Sequence, residues 1–150
     1  MKALIVMICL IVAAVASAQG DGAQHLLVGS TDVYYGITPA TVAGAHPSSH
    51  AEALMHGGAP HSRHRYHLVV AVFDHATHER IRDARVVAAV REIGLGEIRK
   101  TLDAMPIDGN ASYGTYFDFG SPGPYRVRLE INRKDHVGVA TGQFEYRPPQ

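Results

Sequence analysis

The chain has 150 residues, fourteen acidic against fourteen basic, and a formal net charge of zero. That balance, with no basic stripe to neutralise phosphates, excludes nucleic acid as a natural partner. The length and a hydrophobic content of 46% fit one globular domain behind an N-terminal leader.

The chain opens MKALIVMICLIVAAVASAQGDG. Lys2 supplies a short positive start, residues 3–15 form an uncharged apolar run, and Ala16-Ser17-Ala18 gives an A-x-A pattern. This predicts a secretory signal peptide over residues 1–18, cut after Ala18. The apolar run falls short of the roughly 20 residues that span a bilayer, and no later stretch supplies them. The mature chain is therefore expected to be soluble, periplasmic or secreted, with no membrane span after cleavage. Cys9, the sole cysteine, lies inside the leader. A mature chain without a thiol has neither a disulfide framework nor a cysteine-based zinc site.

Residues 19–25 are small and polar and read as frayed, and 32–37 as a short strand. Residues 38–64 are rich in Pro, Gly, Ala, Ser and His without a sustained hydrophobic period, beyond one possible helical turn at 49–55. They read as a mobile linker, so 19–64 form an N-terminal strand and a flexible His-rich segment. From Arg65 the texture changes. In YHLVVAVF (66–73) both alternating faces are apolar, which predicts a central strand covered on both sides. His67, Val69, Ala71 and Phe73 share one face of it. Residues 84–92 form the next strand, where valine density favours strand over helix. A third strand spans 97–105 and PIDGN (106–110) turns the chain. Strands at 112–119 and 125–131 flank a GSPGP turn, and a last strand runs 137–147, bent near Gly142. Six to seven short strands with frequent turns predict an all-β, antiparallel sandwich over residues 65–147.

Motifs of catalysis are missing: no G-x-S-x-G, P-loop, G-x-G-x-x-G after a strand, or H-E-x-x-H. The chain is expected not to be an enzyme; a hydrolase would need a cleft with clustered carboxylates. Six of ten histidines crowd residues 46–67, where Met55 adjoins His56. Imidazole and thioether are copper ligands, yet composition alone also describes a solvated tether. His75 and His78 flank a polar turn and read as exposed. They lie too far along the strand to share one metal with His67. By themselves His67 reads as a core-edge histidine, Met105 as packing and His136 as an exposed loop residue.

Two segments carry a resemblance. YHLVVAVFD with ERIRDARV, and SYGTYFDFGSPGPYRVRLEI, resemble the Ig-like modules of small exported bacterial proteins, including the FixH and YtkA-like group. More specifically, the order His67, AMPIDGNASYG (104–114), GPYRVRLEI, then His136 is similar to the periplasmic iron-transport accessory family, whose members bind copper. The resemblance implies an Ig-like sandwich, often dimeric, and copper first and iron second as the metal. It further implies an inner-membrane metal transporter as partner. His67 matches a ligand histidine that starts a strand, Met105 a methionine in an M-P-M setting, and His136 a histidine before the final strand. The family places a histidine directly before Y-G, where this chain has Ser112. A residue of the tract, His64 or Met55, or Tyr113, or water would then complete the shell. The expected function is a metal-binding transport accessory or chaperone. The alternative is a non-catalytic cell-envelope interaction module whose histidines are incidental.

Overall fold

The structure, a computed structural model, describes residues 24–43 and 62–149. The expected leader, Met55 and the histidines at 46, 50, 56 and 61 lie outside those residues. Among the described residues nine strands and one short helix follow in order: β1 (Gln24–Val28), β2 (Thr31–Pro39), α1 (Ala40–Ala43), β3 (Arg65–Asp74), β4 (Arg85–Glu92), β5 (Glu97–Thr101), β6 (Asp103–Ile107), β7 (Asn110–Asp118), β8 (Tyr125–Asn132) and β9 (Ala140–Tyr146). They build two antiparallel sheets, β1-β2-β3-β7-β6 and β5-β4-β8-β9. The all-β sandwich expected from the alternation is what the chain forms. Among the described residues no helix is long and apolar enough to cross a membrane.

The core lies between the sheets. Leu68, Val70 and Val72 from β3 and Tyr113 and Phe117 from β7 meet Val86, Ala88, Val90, Val127, Leu129 and Ile131 from the opposite sheet. Each fully buried aliphatic side chain there stabilises the fold by about 1.5–3 kcal/mol relative to exposure. Tyr113 also ties the sheets together. Its hydroxyl accepts the Ala84 N–H at 2.9 Å and donates to the Ile81 carbonyl at 3.2 Å.

Three features differ from expectation. First, β1 and β2 form a hairpin that joins β3 in full register, Gly36 opposite Val69 and Thr38 opposite His67. The described sandwich therefore begins at Gln24. The two-residue loop Gly29-Ser30 closes the hairpin, with positive φ at Gly29 and not at Ser30, the pattern of a type II′ turn. Second, the stretch 97–105 is two strands. Its first part, β5, pairs with β4, whereas β6 pairs with β7 in the other sheet. Leu102 makes the crossing, 3% exposed, its N–H bonded to the Val86 carbonyl. Third, the turn after β6 is only Asp108-Gly109, both at positive φ, as a type I′ hairpin requires.

Candidate metal centre

In β3 the even-numbered residues enter the core, so His67, Val69, Ala71 and Phe73 line the outer face of the five-stranded sheet. His67 is nonetheless only 1% exposed. Its ring stacks on Tyr116, its cross-strand neighbour on β7, with centroids 4.6 Å apart.

The Asp108-Gly109 turn folds β6 back along β7 and sets Met105 directly opposite Ser112. Cross-strand partners share a face, so Met105 joins the outer face that carries His67. Met105 is 3% exposed and Ser112 5%. Between His67 and Met105 stands Gly114. A Cβ placed on Gly114 would lie 2.9 Å from His67 Nε2 and 2.9 Å from Met105 Sδ. The imidazole nitrogen and the thioether sulfur therefore converge over one point and cannot be further apart than twice that distance. Only a residue without a side chain leaves the space between them open. In this cradle one imidazole nitrogen and one thioether sulfur thus face a common space, and a nitrogen with a sulfur is a donor set of the kind that suits copper.

The same row holds a carboxylate. Asp103 is the register partner of Gly114 on β6, so it shares the outer face, and it is exposed. Asp103 belongs to no motif. Its signal in the sequence is the two-residue spacing from Met105, informative only once β6 is recognised as a separate strand.

The other expected ligands stand elsewhere. Tyr113 faces the core and spends its hydroxyl on Ala84 and Ile81. His64 is exposed and lines a hollow with Tyr66, Phe119 and Pro148. Met55 lies outside the described residues. His136 is the main correction to the ligand set. It sits beside Asp74 and Asp135, with donor atoms of all three within 4.8 Å of one another. Asp74 ends β3 and His67 is near its start, seven residues and about 23 Å away. His136 therefore does not join His67 and Met105.

At that far end Arg133, 4% exposed, occupies the position a cation would seek. Its guanidinium donates to Asp74 Oδ2 at 2.9 Å and to Asp135 Oδ1 at 3.0 Å. The Thr77 N–H and Arg133 hold the Asp74 carboxyl down at about 2. Nearby, on the outer face, Asp32 receives two imidazoles, His25 Nε2 at 2.7 Å and His75 Nδ1 at 2.8 Å. Those bonds, that of His75 first, lower the Asp32 pKa.

Two polar hollows lie apart from the cradle. One of about 360 Å³ is lined by Arg85, Arg99, Lys100 and Glu130, and Arg99 holds Glu130. Another of about 460 Å³ gathers Asp74, Glu79, Asp83 and Asp135, of which Arg133 and Lys134 hold three.

No family model matches the chain, and no curated protein matches its sequence. Solved structures share its fold. A DUF4426 family protein from Pseudomonas aeruginosa PAO1 superposes with a TM-score of 0.65 at 15% identity, covering 86% of this chain and 98% of that one. FetP from uropathogenic Escherichia coli strain F11, as isolated after expression in the periplasm, gives a TM-score of 0.58 at 12% identity, covering 83% and 93%. A copper-bound single-residue variant of the same FetP gives 0.56 at 12% identity, covering 83% and 94%.

Proposed function

We propose that the protein is an exported, non-enzymatic accessory that carries copper first and iron second, held by His67 and Met105. The observation that carries this reading is the convergence of Nε2 and Sδ over Gly114. Sulfur favours Cu(I) and imidazole accepts either oxidation state. Ser112, directly opposite Met105, offers oxygen beside the pair, which widens the site toward harder ions such as iron. The likeness to a copper-bound FetP supports metal handling in the periplasm at the level of the fold. A non-catalytic role is supported by the carboxylates of the two polar hollows, most of which are engaged by cations. We extend the reading to a homodimer that delivers its ion to an inner-membrane metal transporter.

The test is a Cu(I) titration of the mature chain against a chromophoric chelator, with a His67→Ala, Met105→Ala double variant beside it. The tightest site should weaken at least 100-fold in the variant, while weak binding by the tract histidines persists. Equal affinity and stoichiometry in both proteins would sink the proposal. That outcome would favour an envelope interaction module, for which the exposed apolar residues Ile93, Leu95 and Ile98 near the β4–β5 turn would be the contact surface.

A further inference from the structure

A second metal-binding position emerges from histidines that the first site does not use. The turn after β3 carries His75 and His78, both exposed, with ring centroids 6.4 Å apart in an edge-to-face arrangement. Two imidazoles that share one metal at about 2.0–2.1 Å per bond hold their ring centres roughly 5–6.4 Å apart, depending on the angle at the metal. The observed spacing equals the linear limit of that range, so binding requires both exposed rings to turn about their side-chain bonds until their nitrogens face one point.

His75 is aimed from behind. Its Nδ1 lies 2.8 Å from Asp32 Oδ2, and Asp32 is itself 7% exposed and held on its other oxygen by His25. A carboxylate that accepts the Nδ1–H fixes the tautomer and leaves Nε2 with its lone pair toward solvent. Metal-binding histidines are oriented and made more basic by such a carboxylate partner. The turn is held as well. Asp74 accepts the Ala76 and Thr77 N–H groups, and the His78 N–H donates to the Asp74 carbonyl. His78 takes a positive φ of 57° within it.

Asp32 serves as the orienting group and not as a shared ligand. Among the described residues the one set of three His or acid side chains with mutually close donor atoms is Asp74, Asp135 and His136. His25 and His75 therefore approach Asp32 without converging on a common ion, and water completes the shell of a metal on His75 and His78.

We propose that His75 and His78, with Asp32 as the orienting carboxylate, form a solvent-facing site for a borderline divalent transition metal such as Cu(II). It lies about 25 Å along β3 from His67, so it is independent of the His67–Met105 site. Ligand exchange at an open two-imidazole site is easy, which suits transient capture of metal.

The experiment uses ¹⁵N-labelled mature protein and substoichiometric Cu(II), read as paramagnetic broadening of individual amides. The Ala76, Thr77, His78 and Glu79 signals should broaden early in the titration. His75→Ala and His78→Ala should each abolish that local broadening, and both positions are exposed, so the spectrum itself checks that the fold persists. The His67→Ala, Met105→Ala variant should leave it intact, which separates this site from the first. Asp32→Asn should weaken the local affinity by about tenfold. Persistence of the broadening in both single histidine variants, or its absence from the unmodified chain at equimolar Cu(II), would overturn the proposal.

Discussion

Replacing Gly114 with alanine tests the convergence of His67 and Met105 directly. The new methyl would sit 2.9 Å from Nε2, 2.9 Å from Sδ and 3.0 Å from the Leu68 carbonyl oxygen. Comfortable contacts between such atoms begin near about 3.5 Å, so each approach is short by roughly half an ångström or more. The imidazole and the thioether can swing away, but the carbonyl belongs to β3, which is hydrogen-bonded to β7. Overpacking of this kind costs about 1–3 kcal/mol. With a urea slope of about 1–3 kcal/mol/M the unfolding midpoint falls by roughly 1 M. Cu(I) affinity should fall at least tenfold, because the methyl fills the space between the donors. The control is Gly36→Ala, one strand beyond Val69 in the same row, where nothing lies within 4 Å of the new methyl. It should leave stability unchanged or raise it by up to about 1 kcal/mol, through the stiffer unfolded chain. Urea melts followed by far-UV circular dichroism and a chelator competition read both quantities. Equal behaviour of the two alanine variants would refute the argument that Gly114 holds the cradle open.

Three further outcomes are expected. His136→Ala should leave the tightest Cu(I) site unchanged, since His136 stands at the other end of β3; a hundredfold loss by the same chelator competition would show that the chain brings the two histidines together after all. Tyr113→Phe should destabilise the fold by about 1–3 kcal/mol, because it strands the Ala84 N–H without its acceptor; an unchanged urea midpoint would remove the hydroxyl from the list of contacts between the sheets. Asp74 has a folded pKa held near 2 against an ordinary value of 3.8. A depressed carboxyl pKa contributes stability that is present above the ordinary value and is lost as pH falls through the folded one. The urea midpoint should thus decline between pH 4 and pH 2, and Asp74→Asn should flatten that decline; parallel curves for both proteins would assign the acid sensitivity to other groups.

The sandwich was legible because its information is local. Alternation along β8 put Tyr125, Val127, Leu129 and Ile131 inside, and they are buried. The double apolar face of β3 marked it as a central strand, and it lies between β2 and β7. The face assigned to His67 follows from a two-residue period and holds in the structure. Resemblance alone singled out Met105, whose neighbours in sequence say nothing about a partner on β3.

What periodicity leaves open is which strand lies beside which, and that decided the site. The stretch 97–105 had to cross between sheets at Leu102 before Met105 could pair along β7 and reach the outer face of β3. A one-residue crossing keeps the hydrophobic texture of a single strand, so no local signal marks it. His136 went the other way for an equally non-local reason. The connection from β3 to β4 is bonded back to the end of β3, Ile81 N–H to the Val72 carbonyl, and β8 runs antiparallel to β4 with Asn132 opposite Arg85. The loop after β8 is thereby carried to the Asp74 end of the sandwich. The amino-acid order determined which residues could bind a metal and which face of a strand each would take. The pairing of distant strands determined which of them meet, because that choice is made by burial of the shared core and not by any property of the ligands themselves.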